Sequence, residues 1–384
     1  MAYKTELWKI ESVEEAPVAA ARAVELLAGS GLVAFPTETV YGVAANAAMD
    51  EAYDRLRTLK NRPARPFTVH IGGPEQAMAY VADPPAPARW MMRKAWPGPV
   101  TIVLPTGGRL ANEAWNEPRI AGRLTHEGTI ALRCPDHPVA RFLLGALSDP
   151  IVAPSANLAG RRPALTGEQV MEALDGQIDM VLDAGKVRYG LPSTIVAFEP
   201  DGSYRILREG VVPRSKVAEL TGRQVLFVCS GNTCRSAMAE VLCRGVLAEH
   251  LGCGAKELAG RGWRIVSAGT SAASGAPASE GAIAAVRQFG ADLTGHSSRL
   301  LTSELIRESD LILCLTDQHC GSVLDHDPTA AGRVLPLDEQ GDVADPIGGS
   351  PGQYLQTAER IRRAIAARLG MLMADIGQDE RSRP

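Results

Sequence analysis

At 384 residues the chain exceeds what one hydrophobic core usually organises, so two domains are expected. A hydrophobic fraction of 45%, a charged fraction of 22% and a mean hydropathy of -0.04 exclude a disordered or membrane-embedded class. A net charge of -4 excludes a global basic field, so any nucleotide or RNA contact must come from a local patch.

The opening Met-Ala-Tyr-Lys-Thr-Glu-Leu-Trp-Lys-Ile carries charges where a signal peptide needs its apolar region, and no later run reaches membrane length. A cytoplasmic protein with no membrane partner is expected. Seven cysteines, at 134, 229, 234, 243, 253, 314 and 320, form neither a paired disulfide framework nor a C-x-x-C zinc pattern. They are expected as reduced thiols, with no metal site.

The first predicted strand covers 31–35 and runs into Pro36-Thr-Glu-Thr-Val-Tyr-Gly42. Further short β-like runs follow at 101–104, 129–132, 151–153, 180–182 and 194–197, separated by Gly- and Pro-rich turns, which predicts a mixed-sheet α/β domain. Lys60 and Arg62 alternate in Leu59-Lys-Asn-Arg-Pro63, so in an extended segment they share a face and suit a triphosphate. Taken alone, the pair also reads as a solvated basic turn. It is accompanied by Phe67-Thr-Val-His70, Trp96-Pro-Gly-Pro-Val-Thr101, Ala131-Leu-Arg-Cys-Pro135, Ala153-Pro-Ser-Ala-Asn157, Pro192-Ser-Thr-Ile195 and Leu207-Arg-Glu-Gly210.

Together these motifs resemble the YrdC-type threonylcarbamoyl-AMP synthase family over roughly 12–215. The resemblance implies condensation of L-threonine, bicarbonate and ATP, with Mg2+, into threonylcarbamoyl-adenylate, the precursor of a tRNA modification; enzymes of the tRNA pathway are the implied partners. By the same resemblance Lys60, Arg62, Ser155, Asn157, Ser193 and Arg208 bind ATP and its phosphates, and Thr37, His70 and Arg133 hold threonine or the carbamate. Carbamate is a weak nucleophile, so its attack on the α-phosphate needs fixed cations rather than a covalent residue. Read singly, His70 also fits a hydrogen-bonded structural histidine and Ser155 a helix cap. Two stretches depart from the family pattern: Arg161-Arg162-Pro, and Gly122-Arg-Leu-Thr-His-Glu-Gly, read as an altered substrate-gating loop. A nucleotide- or RNA-binding module without synthase activity is the alternative reading.

After Arg208-Glu-Gly-Val-Val-Pro213 comes a helix-capable segment ending in Gly222, read as a linker over 216–222. Beyond it strands are predicted at 225–228, 263–267 and 310–315, alternating with helices from 236, over 278–289 and from 354 to 373. This β-α-β rhythm predicts a parallel sheet flanked by helices. The last residues, 377–384, read as a frayed tail.

A thiol is a useful nucleophile only as thiolate, and a helix N-terminus and a nearby Arg are two means of favouring that form. Cys229 closes an apolar strand, Ser-Gly-Asn-Thr-Cys turns the chain, and Arg235-Ser236 opens a predicted helix. Amides of such a loop point inward at an oxyanion. Gly231 permits the curl, Asn232 can fix it by side-chain hydrogen bonds, and Arg235 offers two parallel donors to phosphate. A core thiol or a zinc ligand at Cys229 fits less well, because the turn is too polar and no second ligand pair has suitable spacing. Attack by sulfur on phosphorus also needs an acid for the leaving group, and Asp345 in Asp-Pro-Ile-Gly-Gly-Ser lies on a loop able to supply it.

With Ser267-Ala-Gly-Thr270, Gly295-His-Ser-Ser-Arg299 and Ser309-Asp-Leu-Ile-Leu in the same order, roughly 223–375 resembles the low-molecular-weight protein phosphatase family. The resemblance implies Cys229 as nucleophile, Arg235 as transition-state binder, Ser236 as thiolate stabiliser, Asn232 as loop organiser and Asp345 as general acid, with no cofactor. It also implies Cys234 as a thiol that traps oxidised Cys229 as a disulfide. Thr233 stands where tyrosine phosphatases of the family have an aliphatic residue and protein-arginine phosphatases have Thr, and Ile347 replaces an aromatic ring. Phosphotyrosine and phosphoarginine proteins both remain open as substrates. The expected fold class is therefore α/β: a YrdC-like mixed-sheet domain over 1–215, a linker over 216–222 and a Rossmann-like parallel-sheet phosphatase domain over 223–376.

Overall fold

The computed structural model describes residues 4–61, 65–158 and 160–373. The chain divides into two compact units, Met1–Val217 and Ala218–Pro384, and the division falls inside the helix Arg214–Thr221. The segment expected as a linker is thus mostly helical. The expected tail lies outside the described residues.

Among the described residues the first unit carries eleven strands: β1 (Glu6–Lys9), β2 (Val33–Phe35), β3 (Gly42–Asn46), β4 (Val69–His70), β5 (Val100–Pro105), β6 (Thr125–His126), β7 (Thr129–Arg133), β8 (Ile151–Val152), β9 (Met180–Asp183), β10 (Thr194–Phe198) and β11 (Tyr204–Arg208). They form one sheet in the order β1-β9-β2-β3-β8-β4-β7-β5-β10-β11, with β6 paired to β7. Pairing is mixed: β4–β7 and β5–β10 run parallel, whereas β5–β7 and β10–β11 run antiparallel. The helix Ala16–Ala28 buries Ala16, Ala19, Ala20, Ala23 and Leu27, a stripe at helical spacing, against Val33, Phe35, Ala44 and Met180. Its small side chains let the helix backbone approach the sheet, while Leu27 and Phe35 each contribute about 1.5–3 kcal/mol by burial.

One expectation needs correction here. Lys60 is not in an extended segment; it is the last residue of the helix Asp50–Lys60, which Asn61 ends in the left-handed region at φ 43°. The stretch read as an altered gating loop is the end of the helix Pro118–Leu124 followed by a tight β6–β7 hairpin. Its two central residues, Glu127 and Gly128, take φ of 49° and 72°, as two-residue hairpin turns require.

In the second unit β12 (Arg223–Cys229), β13 (Trp263–Gly269), β14 (Leu311–Cys314) and β15 (Val334–Pro336) form an all-parallel sheet in the order β13-β12-β14-β15. Alternation decides which core each residue joins. Val225, Phe227, Leu311 and Leu313 face the helices Arg235–His250, Glu280–Arg287 and Pro351–Ala367, whereas Leu226, Val228, Ile312 and Cys314 pack with Ile306 and Val323 on the other side. The predicted closing helix is interrupted after Ala367 and resumes as Leu369–Met373. Strand order reverses around β12, so the carboxyl ends of β12 and β14 flank a topological switch point. Cys229 is the last residue of β12.

Candidate active sites

In the first unit one cross-strand row carries much of the site. Arg208 is in register with Ile195, Ile195 with Thr101, Thr101 with Arg133, and Arg133 with His70. A register shift between Ile195 and Val196 sits where β11 delivers Arg208. Arg208 donates to the Ser193 carbonyl at 2.9 Å and to its hydroxyl at 3.2 Å, and Ser193 Oγ lies 2.8 Å from Thr101 Oγ1. Partial burial, then the charge of Arg133, holds Arg208 below the usual guanidinium value.

Arg133 is the centre of the row. Its Nη2 donates to Glu38 Oε1 at 2.9 Å and to Thr39 Oγ1 at 2.5 Å, while its buried Nε has no protein acceptor. An orphaned buried donor is costly unless a ligand uses it, which fits an anionic substrate. Thr37 Oγ1 donates to the Val40 carbonyl at 2.7 Å and receives the Thr39 amide at 3.2 Å, so its hydroxyl shapes the 36–42 turn. His70 Nδ1 donates to the Thr68 carbonyl at 3.2 Å, leaving Nε2 as an acceptor. Burial, and next the Arg133 charge, push His70 down to about 3, so the ring is neutral.

Lys60 forms a second cluster. Its Nζ donates to the Ser155 carbonyl at 2.9 Å, the Asn157 carbonyl at 2.5 Å and Asn157 Oδ1 at 3.0 Å. Ser155 Oγ also donates to Asn157 Oδ1 at 2.5 Å, and Asn157 Nδ2 donates to the Leu158 and Arg161 carbonyls. A bridge between Gly42 and Ser155 joins this turn to the 36–42 segment that carries Thr37. Arg62 lies outside the described residues. Among the described residues no three His, Cys, Asp or Glu side chains converge as a metal site.

In the second unit the loop after β12 closes on Cys229. Its Sγ lies 2.9 Å from Ser236 Oγ and accepts the Asn232 amide at 3.3 Å. Asn232 is fully buried at φ 54° and holds three elements together: Nδ2 donates to Ser236 Oγ and Ser267 Oγ, each at 2.9 Å, and Oδ1 accepts the Arg299 amide at 2.8 Å. Its short polar side chain offsets the cost of the left-handed backbone. Gly269, ending β13, permits the loop's close approach, since a Cβ there would stand 2.4 Å from the Ser230 carbonyl oxygen.

Arg235, the first residue of the helix Arg235–His250, is buried and donates to the Val343 carbonyl at 3.1 Å and to Asp345 Oδ2 at 2.6 Å. The expected clamp and the expected acid, 110 positions apart, therefore meet. Thr233 is partly exposed, and its Oγ1 would lie 3.5 Å from a Cβ on Gly231. Cys234 Sγ donates to Ser279 Oγ at 3.1 Å and lies 3.7 Å from the Tyr354 hydroxyl. Burial pushes the Cys134 thiol up to about 12 and the Cys243 thiol well above the ordinary range, which leaves both inert as nucleophiles.

Several functional neighbours carry little sequence signal. Glu38, the buried partner of Arg133, lies within a quoted motif, where its charge beside an apolar strand was the available clue. Ser267, which donates to Glu240 Oε2 at 2.5 Å, and His296, whose Nε2 is 2.6 Å from the Asn232 carbonyl, support the loop from distant motifs.

A family model described as telomere recombination, covering Sua5, YciO and YrdC, matches residues 25–210, and one described as low molecular weight phosphotyrosine protein phosphatase matches 224–382. Threonylcarbamoyl-AMP synthase of Bacillus subtilis (strain 168) is 34% identical over 223 residues, 57% of this chain and 62% of that protein, so the chain spans less than two thirds of that relative. The protein of the same name from Chromohalobacter salexigens is 36% identical over 176 residues, 46% of this chain and 90% of its own length. Among solved structures, the low molecular weight protein tyrosine phosphatase of T. tengcongensis is 32% identical, covering 39% of this chain and 99% of its own, with a TM-score of 0.35. The YwlE arginine phosphatase of Geobacillus stearothermophilus is 28% identical, covering 42% and 98%, with a TM-score of 0.34. The chain thus belongs to the Sua5/YrdC family in its first unit, and its second unit matches the low molecular weight phosphotyrosine protein phosphatase family model.

Proposed function

We propose that the chain is bifunctional: the first unit makes threonylcarbamoyl-adenylate from L-threonine, bicarbonate and ATP with Mg2+, and the second hydrolyses phosphorylated protein. The synthase reading is carried by the row of Arg208, Thr101, Arg133 and His70, with the unsatisfied Arg133 Nε beside it. Arg133, Arg208 and Lys60 screen the charges that meet when a carbamate oxygen attacks the α-phosphorus and pyrophosphate departs. Neutral His70 offers Nε2 as an acceptor to the ammonium or hydroxyl of threonine. Incubation with ATP, threonine and bicarbonate should yield pyrophosphate and the adenylate, and Lys60→Ala should remove both while sparing phosphatase activity. ATP binding without product would favour a nucleotide-binding module instead.

The phosphatase reading is carried by Cys229 Sγ, which sits between Ser236 Oγ and the Asn232 amide with the Arg235–Asp345 pair at hand. The Cys229 thiolate attacks phosphorus in line, the leaving group departs with the Asp345 proton, and water activated by the Asp345 carboxylate then breaks the sulfur–phosphorus bond. Exposed Ile347, two residues from Asp345, offers no ring to stack on a phenol, and the Thr233 hydroxyl gives the loop a polar rim suited to a guanidinium. These two features favour phosphoarginine; phosphotyrosine is the second reading. Phosphoarginine and phosphotyrosine peptides compared at matched concentration decide between them, with Cys229→Ser as control. Thr233→Ile should lower the arginine activity and raise the tyrosine activity; unchanged activities would remove Thr233 as selector. No helix among the described residues is long and apolar enough to cross a membrane.

A further inference from the structure

The loops that meet at the switch point carry a hydrogen-bonded chain with no role so far. Thr316, the N-cap of the helix Asp317–His326 that follows β14, accepts the His319 amide at 3.3 Å. His319 Nδ1 lies 2.8 Å from Thr316 Oγ1, and its Nε2 lies 2.9 Å from Ser230 Oγ. Ser230 directly follows the nucleophile and is exposed at the mouth of the loop, whereas His319 is buried. Burial, and next the Arg235 cation, lower His319 to about 4 against the opposing pull of Asp342 and Asp345. At neutral pH the ring therefore has one N–H and one lone pair.

The Thr316 hydroxyl has one hydrogen and two lone pairs, so it can accept the His319 amide and still give its proton to Nδ1. In that orientation Nε2 carries the hydrogen and donates to Ser230 Oγ, which leaves the Ser230 O–H free to point out of the chain.

We propose that His319 is a positioning residue for the phosphatase reaction, holding Ser230 so that its hydroxyl proton faces the oxyanion bound beside Cys229. The inference rests on the phosphatase reading of this loop. A donor fixed on an oxygen that gains charge in the transition state acts on turnover more than on ground-state affinity.

The test uses the full chain with p-nitrophenyl phosphate. Ser230→Ala and His319→Ala are each expected to lower kcat/KM about tenfold, mostly in kcat. The double variant should fall no more than about twofold below Ser230→Ala, because both changes remove the same donor. His319→Gln, whose amide N–H can reach Ser230, should restore activity to within about threefold of the unsubstituted chain; His319→Asn, which is too short, should not, and it replaces His319→Ala if that variant fails to fold. A His319→Ala chain within twofold of full activity, losses that multiply to about a hundredfold, or no rescue by Gln would overturn the proposal. Hydrolysis that is absent, or that survives Cys229→Ser, would overturn the phosphatase reading and this inference with it. Cys229-dependent hydrolysis insensitive to His319 would overturn this inference alone.

Discussion

Arg235 Nη2 lies 2.6 Å from Asp345 Oδ2, so the guanidinium proposed to clamp phosphate is already paired with the carboxyl proposed to protonate the leaving group. A phosphoryl oxygen must share or replace that contact, and the exchange couples substrate binding to the release of Asp345 for proton transfer. Asp345→Asn is expected to lower kcat on phosphopeptide by about a hundredfold while strengthening orthovanadate binding several-fold, since the guanidinium loses a competitor. Steady-state kinetics and vanadate inhibition of the same variant check both halves. Weaker vanadate binding would show that the ion pair pre-organises Arg235 rather than competes for it.

Asn232 joins Ser236, Ser267 and the Arg299 amide while holding φ at 54°. Asn232→Ala should cost the second unit about 3 kcal/mol, from lost buried hydrogen bonds and a left-handed backbone without compensation. Asn232→Gly relieves the backbone part and should recover about 1 kcal/mol of it. Hydrogen exchange of the β12 and β13 amides is the proper readout, because two units need not unfold together. Equal protection in the two variants would place the whole cost in the side-chain bonds.

Arg133 and Glu38 form a buried pair at 2.9 Å. Glu38→Ala strands the Arg133 charge and should destabilise the first unit by about 3–5 kcal/mol, whereas Glu38→Gln keeps an acceptor and should cost less. Urea unfolding followed by exchange at β7 measures both. A Gln variant as unstable as the Ala variant would mean that charge, not hydrogen bonding, holds the site.

His70 titrates near 6.5 in an unfolded chain and near 3 in the folded one. Between those values the unfolded state binds a proton that the folded state does not. The folded unit is therefore at full stability above about 6.5 and loses it as pH falls toward 3, by on the order of a few kcal/mol from this residue. His70→Gln should flatten that slope, measured as the urea midpoint of the first unit against pH. An unchanged slope would assign the acid sensitivity elsewhere.

Legibility differed between the two sites for a geometric reason. The Cys229 loop joins strand, turn and helix within a few residues, so its donors are neighbours in sequence as well as in space. Lys60 was harder: its helix buries only Ala52, Tyr53 and Leu56 within a polar stretch, and an alternating Lys-Asn-Arg reads as extended until Asn61 turns left-handed. The strands β4 and β6 have two residues each, too few for any periodicity to show.

By itself the sequence carried the two-part organisation, the parallel character of the second sheet and the placing of Cys229 and Arg235 on one strand-turn-helix loop, because a β-α-β rhythm and a contiguous loop are local properties. Only the tertiary structure decided that Arg208, Thr101, Arg133 and His70 share one row, that Glu38 balances Arg133, and that His319 reaches Ser230 from 89 positions away. Those relations depend on strand register and sheet order, which are settled by the packing of residues far apart in the chain.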